Sequence, residues 1–401
     1  MQNIIVTEPY VPVPPKHGNF WPALSARILP WFLRKKYGVV QFDLQHVDRL
    51  RDSLRAGHGI VLMPNHCRDE DGFVVGRLSV ELRSWFYYMS SWHVFKMGRI
   101  PAFLLPRIGL YSVNREGADR SAVKTSVDIL AHARRPIVIF PEGYLGRSND
   151  RLNPMMDGPA LIARAAAKKR AQINPAGKIV VHPIALRYRL LAPLEPCVAG
   201  VLAEIEQRLG MSPGAGLPLG ERVDKIGEAL QAKRETEYLG QPQTGPLAPR
   251  LANLIQVILH PLEDEWIGAR HDHEPVQSRV RRLRSAIVPR LVKGGLTEAE
   301  VKRCWKHLAD IYLAQQLDAY PPGYLSGNPP PERLLETIER YQEDLTDKLQ
   351  PYVPLAVTVT VGEAIVVNPG REPHGANDPL LHAVEDQLTA MLGLAATGKS
   401  P

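Results

Sequence analysis

A histidine and an aspartate five residues apart, His66 and Asp71, lie in the polar stretch Asn65-His66-Cys67-Arg68-Asp69-Glu70-Asp71-Gly72. If the chain turns into a helix near Asp69, the Asp71 carboxylate folds back to accept a proton from one imidazole nitrogen. The other nitrogen then stays basic and faces outward, which makes a general base with its orienting partner. Such a pair also arises by chance on protein surfaces, and both residue types are metal ligands. No further His or Cys cluster stands near His66, so no metal site is expected. The catalytic reading therefore rests on company further along the chain.

The element that must present this pair is Gly59-Ile60-Val61-Leu62-Met63-Pro64, a short apolar run bounded by Gly and Pro. It reads as a buried strand with the polar loop at its C-terminal end, where open α/β sheets build their sites. A helix over 44–54 is expected to lead into it and another over 72–82 to follow it. The aromatic run Trp85 to Met89 reads as a strand, and Trp92 to Leu105 as a proline-broken apolar stretch that either lines an acyl pocket or, more simply, is core. Gly109 to Arg115 reads as a strand ending on an arginine, followed by an amphipathic helix from Asp119 to Ala133 with Val123, Val127 and Leu130 on one face. Pro136 to Phe140 is another buried strand, broken by Pro141-Glu142-Gly143. Three successive strand ends thus carry His66, Arg115 and Glu142, and strand, polar tip and helix repeated in this way predict an α/β fold with a mainly parallel central sheet flanked by helices.

A helix over Asn153 to Lys169 and a strand from Lys178 to Ala185 extend the pattern. From Pro196 to about Pro351 only helical patterns remain, separated by Gly- and Pro-rich joints, so an all-helical insertion is expected before the last strands. These return at Ala356–Val361 and Ala364–Val367, and Asp378 to Leu394 closes the chain as a helix. The expected divisions are an N-terminal arm and interfacial helix (1–39), a core (40–195), the helical insertion (196–350) and C-terminal strands and helix completing the core (351–401).

In the arm, Phe20, Trp21, Leu24, Ile28, Trp31 and Phe32 crowd beside Arg34-Lys35-Lys36. That combination suits a segment lying in a headgroup layer, or equally a helix packed on the domain's own core. The 401 residues carry 49 basic and 42 acidic side chains, a net +7 that favours an anionic partner without choosing among metabolites, membrane and nucleic acid. The basic residues are dispersed and no nucleic-acid reading motif accompanies them, so nucleic acid is not expected. Three scattered cysteines, Cys67, Cys197 and Cys304, imply neither a disulfide framework nor a zinc site, and a reducing compartment is expected. Neither a secretory signal nor a transmembrane helix is expected.

With these blocks placed, the chain resembles the glycerophospholipid acyltransferase superfamily, the group related to bacterial 1-acylglycerol-3-phosphate acyltransferase. The Asn-His-x4-Asp motif stands as Asn65, His66 and Asp71; the glycine-to-arginine strand as Gly109 through Arg115; Phe-Pro-Glu-Gly as Phe140, Pro141, Glu142 and Gly143; and the strand running into a proline as Val180-Val181-His182-Pro183. Four motifs in order, over roughly residues 40 to 190, are far more specific than any one. Two departures concern the acceptor: the charged Arg68, Asp69 and Glu70 between His66 and Asp71, and Tyr144-Leu145-Gly146-Arg147-Ser148 where Thr-Arg-Ser is common.

The resemblance implies transfer of a fatty acyl group from a thioester, on coenzyme A or acyl carrier protein, to a hydroxyl of a glycerol-phosphate-type or lysophospholipid acceptor. His66 would be the base and Asp71 its partner, with no cofactor and no covalent enzyme intermediate; Cys67 reads as incidental. Arg115 would hold an acceptor phosphate, Glu142 and Gly143 would shape the acceptor site, and Pro183 would form a wall by stopping its strand. Asn65, Gly109, Phe140 and Pro141 complete the implied substrate-binding set. The implied setting is cytoplasmic and peripheral to a membrane. Two other readings use the same residues: hydrolysis of a lipid ester or thioester, and a membrane-associated binding protein without catalysis.

Overall fold

The computed structural model describes residues 8–117, 119–214, 216–320, 323–346, 353–370 and 378–394. The chain divides into two units: a sheet unit of residues 12–114, 119–192 and 350–401, and a helical unit of 1–11, 115–118 and 193–349.

The sheet unit runs α1 (Phe20–Tyr37), β1 (Val39–Gln45), α2 (Val47–Arg55), β2 (Gly59–Pro64), α3 (Asp71–Glu81), β3 (Tyr87–Ser91), α4 (Trp92–Phe95), α5 (Arg99–Arg107), β4 (Leu110–Val113), α6 (Arg120–Ala131), β5 (Ile137–Val138), α7 (Asp157–Ile173) and β6 (Ile179–Leu190). After the helical segment come β7 (Leu355–Val361), β8 (Ile365–Val366) and α14 (Pro379–Leu392). The eight strands form one sheet in the order β1-β7-β6-β2-β5-β3-β4, with β8 on β6. Strands β2 to β6 are mutually parallel and β7 and β8 run against β6, so the sheet is mostly parallel, as expected. β2 lies inside it with all six residues buried, as an unbroken apolar run requires. Its Val61 joins Ile137 of β5, Val181 of β6, Tyr87 of β3, and Leu130, Ala163 and Val384 in one core.

Three local expectations are corrected. The helix expected over 44–54 is present as α2 but begins only at Val47, because Leu44 and Gln45 end a strand, β1, that was not expected. β1 pairs in parallel with β7, more than 300 residues away, and no local period reports so distant a partner. The segment 92–105, read as core, folds as two short helices, α4 and α5, with Met97, Ile100 and Phe103 exposed. Pro183 does not stop its strand: β6 continues to Leu190. On one side of β6, Val180 and Val181 pair with β8 and the pairing with β7 begins at Ile184. Pro183 falls in the gap between these two partners, where a missing N–H costs no ladder bond, while its carbonyl accepts from Gly362 N–H at 2.8 Å.

The helical unit holds α8 (Leu194–Arg208), α9 (Leu219–Leu239), α10 (Leu247–Trp266), α11 (Val276–Lys293), α12 (Glu298–Asp318) and α13 (Pro331–Thr346). Its apolar core gathers Leu254, Ile258, Leu283, Ile287, Leu308 and Ile311 from α10, α11 and α12. Buried forks tie consecutive helices: Arg222 of α9 to Glu206 of α8, Arg250 of α10 to Glu235 of α9, and Arg279 of α11 to Glu263 of α10. No helix among the described residues is long and apolar enough to cross a membrane.

Candidate active site

β2 ends at Pro64, but β6, beside it, runs on past that point. Its backbone there would lack partners on one side, and two asparagine side chains supply them. Asn65 donates to Leu186 O at 3.1 Å and accepts from Leu186 N–H at 2.7 Å. Two residues further, Asn149 donates to Tyr188 O at 2.8 Å and accepts from Tyr188 N–H at 2.7 Å. A primary amide carries one donor and one acceptor edge, so each mimics a strand residue and continues the ladder without the strand. Asn65 therefore anchors the start of the His66 loop to β6, and the motif position implied to bind substrate has a backbone-pairing role here.

From that anchor the chain bends around one carboxylate. Asp71, fully buried at the start of α3, accepts from His66 Nδ1 at 3.0 Å, Cys67 N–H at 2.7 Å and Arg68 N–H at 2.8 Å on Oδ2, and from the Tyr188 hydroxyl at 2.7 Å on Oδ1. The two backbone donors fix the loop, and the bond to Nδ1 assigns the Nδ1–H tautomer, leaving the lone pair on Nε2. The ring keeps 22% of its surface exposed. It lies stacked against Phe140, 4.1 Å between centroids. Burial and the neighbouring Asp71 and Glu70 charges push the Tyr188 phenol well above its ordinary range, so it stays protonated and donates.

The second wall comes from the turn after β5, the strand next to β2. Glu142 is buried, with Oε1 taking His66 N–H at 2.7 Å and Oε2 taking the backbone and side-chain N–H groups of Asn153 at 3.0 and 2.6 Å. Gly146 N–H returns a bond to His66 O at 2.7 Å. Both backbone groups of His66 are thus clamped by segment 142–153. Burial pushes Glu142 up to about 7, against the pull of the N–H donors from Asn153 and His66. The turn needs Gly143: its φ is +74° and a Cβ there would meet Met156 Sδ at 2.0 Å. Between His66 and Asp71, Glu70 is also buried and pushed up to about 7 by desolvation, which Arg68, 2.8 Å away, only partly offsets.

Asn65, His66, Asp71, Phe140, Pro141, Glu142 and Gly143 are thus brought together at the C-terminal ends of β2 and β5. Pro183 lies buried in β6, in register with Met63. Gly109 precedes β4, the edge strand two places beyond β5. Its φ of +103° and the 2.6 Å approach a Cβ would make to Phe86 O give it a backbone reason to be glycine. Arg115 is exposed and falls in segment 115–118, which groups with the helical unit, where its neighbour Glu116 accepts from Arg284. Three site residues carry no sequence signal read above: Tyr188, Asn149 and Asn153. Each acts through pairing across the sheet or between loops, and the run Ser148-Asn149-Asp150 after the Glu142 turn is the one hint that polar ends gather there.

Residues 46–187, the span that carries all of these groups except Tyr188, match the family model described as Acyltransferase. No curated protein and no solved structure matches the chain.

Proposed function

We propose, from the match of residues 46–187 to the acyltransferase family model, that the protein moves a fatty acyl group from a thioester to the hydroxyl of a phosphorylated, lysophospholipid-type acceptor. What carries the reading is the 3.0 Å bond from His66 Nδ1 to a fully buried carboxylate that three further donors hold in place. A neutral hydroxyl is a poor nucleophile near pH 7. As its oxygen attacks the thioester carbonyl, its proton passes to His66 Nε2, and Asp71 stabilises the imidazolium. The carbon–sulfur bond breaks next, and the imidazolium returns its proton to the departing thiolate. Protein and imidazole end the cycle unchanged, with one ester formed and one thiol released.

Glu142, Asn65 and Tyr188 are positioning residues in this scheme: Glu142 holds the His66 backbone, Tyr188 the Asp71 carboxylate, and Asn65 ties the start of the His66 loop to β6. The grip of Arg115 on an acceptor phosphate rests on its motif position, and a guanidinium suits that task. Peripheral attachment to an anionic membrane has support of its own. On α1, Phe20, Leu24, Ile28 and Trp31 are exposed at helical spacing, and on α5 Ile100 and Phe103 are exposed too. Trp21 and Phe103 pack edge to face at 5.5 Å, so the two helices lie side by side. Contiguous apolar surface of this kind marks a contact site; Arg34, Lys35 and Lys36 in the last turn of α1 add charge suited to anionic headgroups.

The test is product analysis with purified protein, acyl-CoA or acyl carrier protein thioester, and a panel of lysophospholipids. Ester product that appears only with acceptor supports the proposal; free fatty acid formed equally without acceptor indicates a hydrolase and overturns it. Co-sedimentation with anionic vesicles, lost in Ile28→Ser/Trp31→Ser, checks the attachment.

A further inference from the structure

Within the helical unit, the loop from Ile267 to Pro275 joins α10 to α11 and carries His271-Asp272-His273-Glu274, four consecutive residues of metal-ligating type. One nitrogen each of His271 and His273 and one oxygen of Glu274 lie within 4.8 Å of one another. Two ligands about 2.0–2.1 Å from one zinc-type ion span at most about 4 Å, so small side-chain movements close the site. The loop brings the three together by itself, through a turn in which Glu274 N–H donates to His271 O at 2.9 Å. His271 Nδ1 faces a Glu274 oxygen at 3.4 Å, and its Nε2 is buried with no hydrogen-bond partner among the described residues. A buried ring nitrogen left this way is costly, and rotation of the ring onto a cation would relieve it.

A neighbouring cluster, His260, Glu263 and Asp272, has similar ligand types. It already holds a cation: the Arg279 guanidinium donates to Glu263 at 2.8 and 2.7 Å, while His260 holds Asp272 at 2.7 Å. In the first cluster the competitor is weaker. Arg282 reaches Glu274 at 2.5 and 2.7 Å, but its side chain is 44% exposed, and exposed ion pairs of this kind hold loosely.

We propose that His271, His273 and Glu274 form a binding site for a divalent transition ion of the zinc type, with solvent completing its coordination. Two imidazoles and a carboxylate favour zinc, nickel or copper over magnesium and calcium, which take oxygen ligands. Bound there, the ion would brace the turn between α10 and α11.

The experiment uses the full chain, free of any affinity tag and stripped with chelator, titrated with zinc chloride by calorimetry while thermal unfolding is followed. One equivalent should bind and raise the Tm, because the ion binds the folded state, and magnesium should do neither. His271→Ala/His273→Ala should abolish binding with helical circular dichroism retained. His260→Ala should leave binding unchanged, and Arg282→Gln should tighten it by freeing Glu274. Absence of saturable zinc binding, or binding unaffected by His271→Ala/His273→Ala, overturns the proposal. Loss in His260→Ala with retention in the double variant would assign the ion to the other cluster and overturns it equally.

Discussion

The loops after β2 and β5 and the seams between helices α8 to α11 both bury carboxylates, and they treat them in opposite ways. In the seams between α8 and α11 three buried glutamates, Glu206, Glu235 and Glu263, each meet an arginine fork. Arg222 holds Glu206 below its ordinary value, and Arg250 brings Glu235 down to about 2. Glu263 lies with Arg279, both about 1% exposed. In the sheet unit Arg164 and Asp378 repeat this arrangement between α7 and the start of α14, away from the His66 loop. Around His66 the pattern changes. Glu142 has only N–H donors, Glu70 has one cationic neighbour and an Oε2 without a partner among the described residues, and both rise to about 7. Asp71 is held by N–H and O–H donors and an imidazole rather than an arginine. A carboxylate paired with guanidinium is electrostatically finished and serves as a tie; one held by neutral donors keeps its interaction with a proton-carrying partner open. The difference separates structure from chemistry within one chain.

The largest effect is expected at His66. His66→Ala should lower kcat by about 10²–10⁴, the typical contribution of a general base, with unfolding by urea unchanged; full activity in the folded variant would remove the sheet unit's claim to chemistry. The opposite signature is expected in the helical unit. Arg250→Met leaves Glu235 buried and unpaired and should cost about 3–5 kcal/mol in chemical denaturation, whereas Arg250→Met with Glu235→Leu should recover most of it. Because Glu235 sits at about 2 when folded and 4.5 otherwise, the pair's stabilisation is present above pH 4.5 and lost as pH falls towards 2. A single variant as stable as wild type would mean the forks are not ties.

Glu70 has the reverse sign. Its folded value is raised from 4.5 to about 7, so the folded state binds the proton more tightly and stability declines as pH rises from 4.5 to 7. Glu70→Gln should match wild type near pH 4.5 and exceed it above pH 7, by up to about 3 kcal/mol; Tm measured across that range checks it, and parallel profiles would refute it. The smallest effect sharpens the picture at Asp71. Tyr188→Phe removes one neutral hydrogen bond and should lower kcat roughly fivefold, about 1 kcal/mol, with KM for the thioester unchanged.

What the amino-acid order determined by itself was whatever neighbours along the chain decide. The apolar run of β2, the amphipathic α6, the proline-and-glycine break after β5 and the His66 to Asp71 spacing are all local, so period and turn chemistry carry them. They sufficed for a mostly parallel α/β sheet and for the imidazole and carboxylate that meet in it. Tertiary structure decided the rest. β1 is a strand because β7 lies beside it, and β6 runs through Pro183 because its partners change there. Asn65 and Asn149 hold β6, and Tyr188 reaches Asp71, only because β6 outlasts β2 in the assembled sheet. Glu142, implied to shape an acceptor site, holds His66 in place from 76 residues away. Such bonds join residues whose separation along the chain carries no regular spacing, and a buried donor or acceptor takes whichever partner the fold brings within 3 Å, so only the fold could name them.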